Sequence, residues 1–357
     1  MSLSFPHRNP PKETLKKAIE AHQSGDFEHA ILGYRKFLAV HPDSADIRSN
    51  LGAALASTGR YEDAITEYQT ALKQGPKNPR IWLNLALAYY KSGQISKAAG
   101  EFAALHAAQP ANRQVSLLLA DSWLTQGEDA KVIELLTPIE KQDQNDLALA
   151  YILGTALLRN KQPDRGQQMI DRTLRKGDSA EAHLMLGTAK LNALEYNDAI
   201  AELEKAVQLN PKLPDVYSFL GRAQMDSGKM AAARASFEKE LAQNPNDFES
   251  NLNLAVLLKQ DQDFEGARKL LDRALRVRPG HLAALYQVAT IDLATGKIDA
   301  ARTNLEGILK QAPDFVEAHV TLATIYYRQK RKADGDRERS IVQKLNSEKQ
   351  AKEAAKQ

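Results

Sequence analysis

The sequence predicts an all-α chain of ten helical hairpins in tandem, and three observations carry that prediction. Prolines recur in steps of 34 residues, at Pro42, Pro76 and Pro110 and again at Pro211, Pro245, Pro279 and Pro313. A fixed period of that length is the signature of a repeat architecture. With Pro79 as place one of the third unit, the eighth place of successive units reads Ala18, Gly52, Ala86, Ala120, Gly154, Gly187, Gly221, Ala255, Ala289 and Ala323, without one large residue. Twelve residues further on lies a second small position, Ala30, Ala64, Ala98, Ala199, Ala233, Ala267 and Ala301, with Val132, Gly166 and Gly335 as its other members.

Between the two small positions stands a polar break, "SGDF", "TGRY", "SGQI", "QGED" or "SGKM". Glycine there stops one helix and a polar residue helps to start the next. The first unit replaces the usual large apolar residues with Thr14 and Lys17, as the end of a stack requires a polar cover. The second and third units carry Leu51, Leu55 and Tyr68, then Trp82, Leu85, Tyr89 and Phe102, at helical spacing. The fourth and fifth lose the ruler proline and the second alanine, and Pro138 interrupts a helix. An irregular joint is therefore expected near 137–181. The step from Gly154 to Gly187 is 33 residues, which places a one-residue deletion near "RKGDSAE". The later units return to the rule until the last, where Gly335, Asp336 and Arg339 form the second cap.

The hydrophobic share of 43% is ample for folded structure throughout. There is no cysteine, which removes disulfides and thiol chemistry. Ten basic against five acidic residues fall in 328–357, leaving 38 basic and 40 acidic residues elsewhere. A nearly neutral body argues against nucleic-acid binding, which needs a dense basic surface. No stretch approaches eighteen uninterrupted apolar residues, so no membrane span is expected. The opening residues show no apolar core behind a basic start. The default expectation is a cytoplasmic location, and a periplasmic or exported chain whose signal had been removed would read the same.

Trp82, Leu85, Ala86, Tyr89, Gly93, Ala98, Phe102 and Pro110 fill the signature slots by which the sequence resembles the tetratricopeptide repeat family, over roughly residues 11–345. The resemblance implies a right-handed superhelical solenoid of antiparallel helix pairs whose first helices line a concave groove. It leaves 1–10 as a flexible leading segment and 346–357 as a charged, fraying tail. One continuous solenoid is expected.

Chemistry has little foothold. The eight histidines include no His-x-x-x-His pair, and neither a Walker loop nor a dinucleotide glycine fingerprint is present. No catalytic residue, metal or cofactor is expected, and the chain reads as a non-enzyme. His183 and His319 stand where other units hold Trp82 and Tyr217, which marks them as packing residues. The family's carboxylate clamp for chaperone tails needs Lys at place five and Asn at place nine. This chain has neither, despite Arg80 and Asn84 matching isolated pieces.

Place six points away from the packing face. It holds Asn50, Asn84, Leu118, Ile152, Met185, Phe219 and Asn253 in the body of the chain. Tyr151, Arg222 and Tyr286 border the same face. The asparagines resemble the ladder with which some family members hold an extended peptide backbone, because an amide both donates and accepts. The four apolar residues between them would take hydrophobic side chains. A scaffold that binds a peptide segment or protein partner in the groove is the expected function. The alternatives are a regulatory arm of a larger enzyme such as a glycosyltransferase, and RNA binding. If the apolar stripe is open, the pair Met185→Glu and Phe219→Glu abolishes capture and leaves the melting temperature nearly unchanged.

Overall fold

The computed structural model describes residues 10–354 apart from 75–77, 145, 176 and 178. Pro76 of the proline ruler and all but Pro10 of the leading segment 1–10 lie outside the described residues. Those residues form twenty helices and no strand. They pair as α1 (Pro10–Gln23) with α2 (Phe27–Val40), α3 (Ala45–Ser57) with α4 (Tyr61–Gln74), α5 (Pro79–Lys91) with α6 (Ile95–Ala108), and α7 (Arg113–Gln126) with α8 (Asp129–Gln142). Next come α9 (Leu147–Arg159) with α10 (Pro163–Leu174), then α11 (Ala180–Asn192) and α12 (Tyr196–Leu209), and α13 (Val216–Asp226) with α14 (Met230–Gln243). The last pairs are α15 (Phe248–Gln260) with α16 (Phe264–Val277), α17 (Leu282–Ala294) with α18 (Ile298–Gln311), and α19 (Val316–Arg328) with α20 (Lys332–Ala354). α20 runs unbroken through Leu345, so the tail boundary expected at 345 coincides with no break in the helix.

The repeat register is written in the backbone. Gly25, Gly59, Gly93, Gly127, Gly228 and Gly296 take a left-handed conformation at the hairpin turn, and Lys161, Leu194, Gln262 and Lys330 take it at the same place in the units without glycine. The following N–H turns back onto the first helix, as where Arg60 N donates to Leu55 O at 3.0 Å and Gln94 N to Tyr89 O at 2.9 Å. This closure satisfies carbonyls that a helix end leaves free. The one-residue deletion appears as the 33-residue step from Lys161 to Leu194. A side chain in this conformation costs about 1–2 kcal/mol, against about 0.5–1 kcal/mol for the extra freedom that glycine loses on folding. Leu194 is 68% exposed and has no packing to lose. Leu194→Gly is therefore expected to stabilise the chain by about 0.5–1 kcal/mol, read as a higher urea midpoint; an unchanged or lower midpoint contradicts it.

The small positions permit close helix approach. Ala30, Ala64, Ala98, Ala199, Ala233, Ala267 and Ala301 have no exposed surface. A Cβ added at Gly221 would lie 2.6 Å from the Phe237 ring, and one at Gly52 would lie 2.8 Å from the Tyr68 ring. Place four often ties a first helix to the loop before it. Arg48 Nε, Asn251 Nδ2 and His319 Nε2 reach the carbonyls of Pro42, Pro245 and Pro313 at 3.2, 3.0 and 2.9 Å. His319 is thus a buried packing residue that also holds Glu338 of α20.

The helices fall into two compact units, 1–195 and 196–357, divided at the turn after α11. In the first unit, α9 is buried without interruption from Leu149 to Leu158 and packs on α7, α8, α10 and α11. Segment 137–181, expected as an irregular joint, therefore lies inside the first unit, and α8 continues through Pro138. Each second helix packs on the first helix that follows it within its unit, and α3 meets α5, α7 meets α9, α13 meets α15, and α15 meets α17. First helices thereby form one face of each unit.

Candidate functional site

That face carries two recesses in the first unit. The first, of about 480 Å³, is bounded by α1, α2, α3 and α5, and its lining includes Asp46, Ser49, Asn50, Arg80 and Asn84 together with Ile19, His22, Gln23, Tyr34 and Ile81. Asn78 at its edge caps α5 by accepting from Arg80 N at 3.0 Å. His22 Nδ1 and Tyr34 Oη are 3.2 Å apart. Burial lowers the His22 pKa and raises that of Tyr34, so both stay neutral near pH 7. By contrast the side chains of Asn50 and Asn84 make no hydrogen bond among the described residues, and the Asp46 and Arg80 side chains make no ion pair. Each free amide offers a donor and an acceptor to whatever enters.

The second recess, of about 460 Å³, lies on the next first helices and is lined by Arg113, Gln114, Leu117, Leu118 and Asp121 of α7 and Ile152 of α9. Its charged residues are already engaged. Arg113 pairs with Asp143 at 3.0 Å and Asp146 at 2.6 Å, and Asp121 accepts from Tyr90 Oη at 2.6 Å. Burial raises the Asp121 pKa against the opposing effects of the Tyr90 hydroxyl and Lys91. What remains open between these groups is aliphatic. The first recess can hydrogen-bond a ligand, and the second can take an apolar side chain.

The structure therefore brings Asn50 and Asn84 together, and Leu118 with Ile152, as the sequence led us to expect. It corrects the rest of the apolar stripe. Met185 has no exposed surface. A Cβ built at Gly154 would lie 2.6 Å from the Met185 sulfur, so the thioether fills the gap that the glycine leaves. Tyr151 and Phe219 are buried too, at 8% and 7% exposure, and Ile152 shows only its edge to the recess at 8%. These first helices bury more than the four packing places, so place six turns inward where a small neighbour makes room. Met185→Glu with Phe219→Glu would thus disrupt the core, contrary to the expectation of an intact melting temperature. In the second unit Arg222 is exposed with Asp226 at 3.9 Å, Asn253 is half-buried, and Tyr286 shares a 3.1 Å hydrogen bond with Thr321.

Sequence reasoning passed over Asp46, Ser49, Gln114 and Leu117. The signal was present at place two, where polar Asp46, Arg80 and Gln114 follow one another on α3, α5 and α7. Among the described residues no group of three or more His, Cys, Asp or Glu is placed to hold a metal, and no helix is long and apolar enough to cross a membrane.

Comparison with known proteins agrees with the repeat register. Over 196 residues, 54% of the chain, it is 25% identical to Superkiller protein 3 of Schizosaccharomyces pombe, and over 182 residues, 51% of the chain, 21% identical to Anaphase-promoting complex subunit 3 of the same organism. The matched parts span 13% and 27% of those relatives' own lengths. The crystal structure of the APC/C hetero-tetramer Cut9–Hcn1 superimposes with a TM-score of 0.57 at 10% identity, covering 94% of this chain and 87% of that one, which establishes a shared solenoid fold. A family model described as the tetratricopeptide repeat protein 21 N-terminal ARM repeat matches 89–301, more than half of the chain. With a TPR repeat model over 54–93 and a tetratricopeptide repeat model over 286–335, the chain belongs to the tetratricopeptide repeat family.

Proposed function

We propose that the chain is a non-catalytic scaffold that holds an extended segment of a protein partner on the first-helix face of its first unit. The observation that supports this most is the pair of free amides, Asn50 and Asn84, in a recess whose neighbouring repeats offer an aliphatic slot at Leu118. Repeated amides suit a peptide backbone, which presents a donor and an acceptor at every residue, while the slot selects one apolar side chain. Asp46 and Arg80 at the rim carry opposite charges and favour a segment with both signs rather than a polyanion. The kinship with a subunit of the anaphase-promoting complex is consistent with assembly work.

Panning the full chain against displayed peptides supplies ligands for the test. A backbone hydrogen bond contributes about 0.5–1.5 kcal/mol net, so Asn50→Ala with Asn84→Ala, which removes two, is expected to weaken the selected peptides by about fivefold to a hundredfold. Leu118→Gln is expected to cost about tenfold, with the melting temperature of all variants within a few degrees of the parent. Peptides that bind the parent and these variants equally would place the site elsewhere.

A further inference from the structure

The second unit holds a cluster of acids in a place that the repeat reserves for apolar residues. Glu240 on α14 occupies the slot filled by Ala71, Leu105, Ala206, Ala274 and Ile308 in other units, and it is 2% exposed. Asp247, the N-cap of α15, is 8% exposed. Among the described residues no basic side chain pairs with either.

The start of α13 explains what Glu240 does there. Two residues after the ruler proline, other units present a capping residue such as Asn78, Asn112 or Asp247, but this unit has Leu213, which cannot cap. The helix begins only at Val216, behind Asp215 in a left-handed conformation without a side-chain cap. Glu240 Oε1 takes over, accepting from Asp215 N at 3.3 Å, so a carboxyl of one helix caps the next. Asp247 Oδ1 accepts from Ser218 Oγ of α13 at 2.9 Å and from Ser250 N at 2.7 Å. On the turn that Asp247 caps, Ser250 Oγ and Asn251 Oδ1 have no partner, although both residues are wholly buried.

The charges around the cluster do not relieve it. Asp215 faces both Glu240 and Asp247 from the α13 side; from α15, Asp247 faces Glu240, and Glu249 adds its charge beside Asp247. Arg278 is engaged by Glu249 at 3.3 Å and by the Phe248 ring at 4.0 Å, and His281 meets that ring edge-on at 4.6 Å. Lys239 on α14 lies over Tyr217, and Lys212 is exposed in the loop.

We propose that Glu240, Asp247 and Asp215 form a proton-responsive clasp, which fixes the first turn of α13 while Glu240 is a neutral acid and loosens it when that proton leaves. Burial first, then the charges of Asp247 and Asp215, push Glu240 from 4.5 to about 8, outweighing the Asp215 and Ser218 N–H groups, which favour its charged form; burial with Asp215 pushes Asp247 to about 6 against hydrogen bonding from Ser250. A raised folded-state value means that the native state holds protons that the opened state releases. The stabilisation is complete below the ordinary carboxylate value and is lost as pH rises through the raised one. Because α13 also carries Arg222 and α15 Asn253, the clasp sets the position of polar groups on the first-helix face of this unit.

Full-length protein with ¹³C-labelled glutamate side chains tests this directly, the Glu240 signal being assigned by its disappearance in Glu240→Gln. We expect Glu240 to titrate near 8. Amide exchange in the first turn of α13, corrected for intrinsic rates, should show opening that rises about tenfold per pH unit between 6 and 8. Glu240→Gln should abolish that dependence and protect the turn at pH 8, and Asp247→Asn should lower the Glu240 midpoint. A Glu240 midpoint near 4.5, or an undiminished pH dependence in Glu240→Gln, overturns the proposal.

Discussion

Met185→Glu is expected to destabilise the first unit by at least about 3 kcal/mol, enough to leave much of it unfolded at moderate temperature. Deleting a buried Met side chain alone costs about 2–5 kcal/mol, and a carboxylate in its place adds the penalty of an unpaired buried charge. The sulfur sits against Gly154 and touches no solvent, so the charge has no short route to water. Thermal melting followed by circular dichroism, with limited proteolysis to locate the loss within 1–195, reads the effect. An unchanged melt would mean that Met185 points outward and that the groove is wider than the structure shows.

The second large effect concerns the small positions. Ala199→Asp places a carboxylate where there is no exposed surface, and Gly221→Leu drives a branched side chain into the Phe237 ring. Overpacking costs about 1–3 kcal/mol, and an unpaired buried charge more. Both residues belong to the second unit, so their urea transitions should fall at lower denaturant than the parent while the slope for 1–195 is retained. Parental midpoints for both would break the repeat register on which every residue assignment rests.

Much of the fold was legible because repetition makes each slot visible ten times over. The small residue at place eight, the glycine of the turn and the deletion near residue 176 all follow from spacing, and the left-handed backbone at Lys161, Leu194, Gln262 and Lys330 follows the same register without glycine. The candidate recess was half legible. Asn50 and Asn84 were found because a polar residue at place six has one outward direction. Met185 was misplaced because its direction depends on Gly154 of the preceding first helix, a contact between repeats that periodicity within one repeat does not encode. Glu240 carried a sequence signal, an acid in an apolar slot, but its meaning required the missing cap at Leu213. The boundary between 195 and 196 left no compositional mark, since it falls at a turn like any other.

The central claim is that a partner segment lies along Asn50, Asn84 and Leu118. Photo-crosslinking from single sites compares that face with the rest of the first unit: a benzoyl-phenylalanine at position 84 or 118, with the exposed position 104 of α6 as the control, irradiated with the peptides selected on the parent chain. We predict adducts from 84 and 118, lost on competition with unlabelled peptide, and none above background from 104. Adducts from 104 with none from 84 or 118 would contradict it.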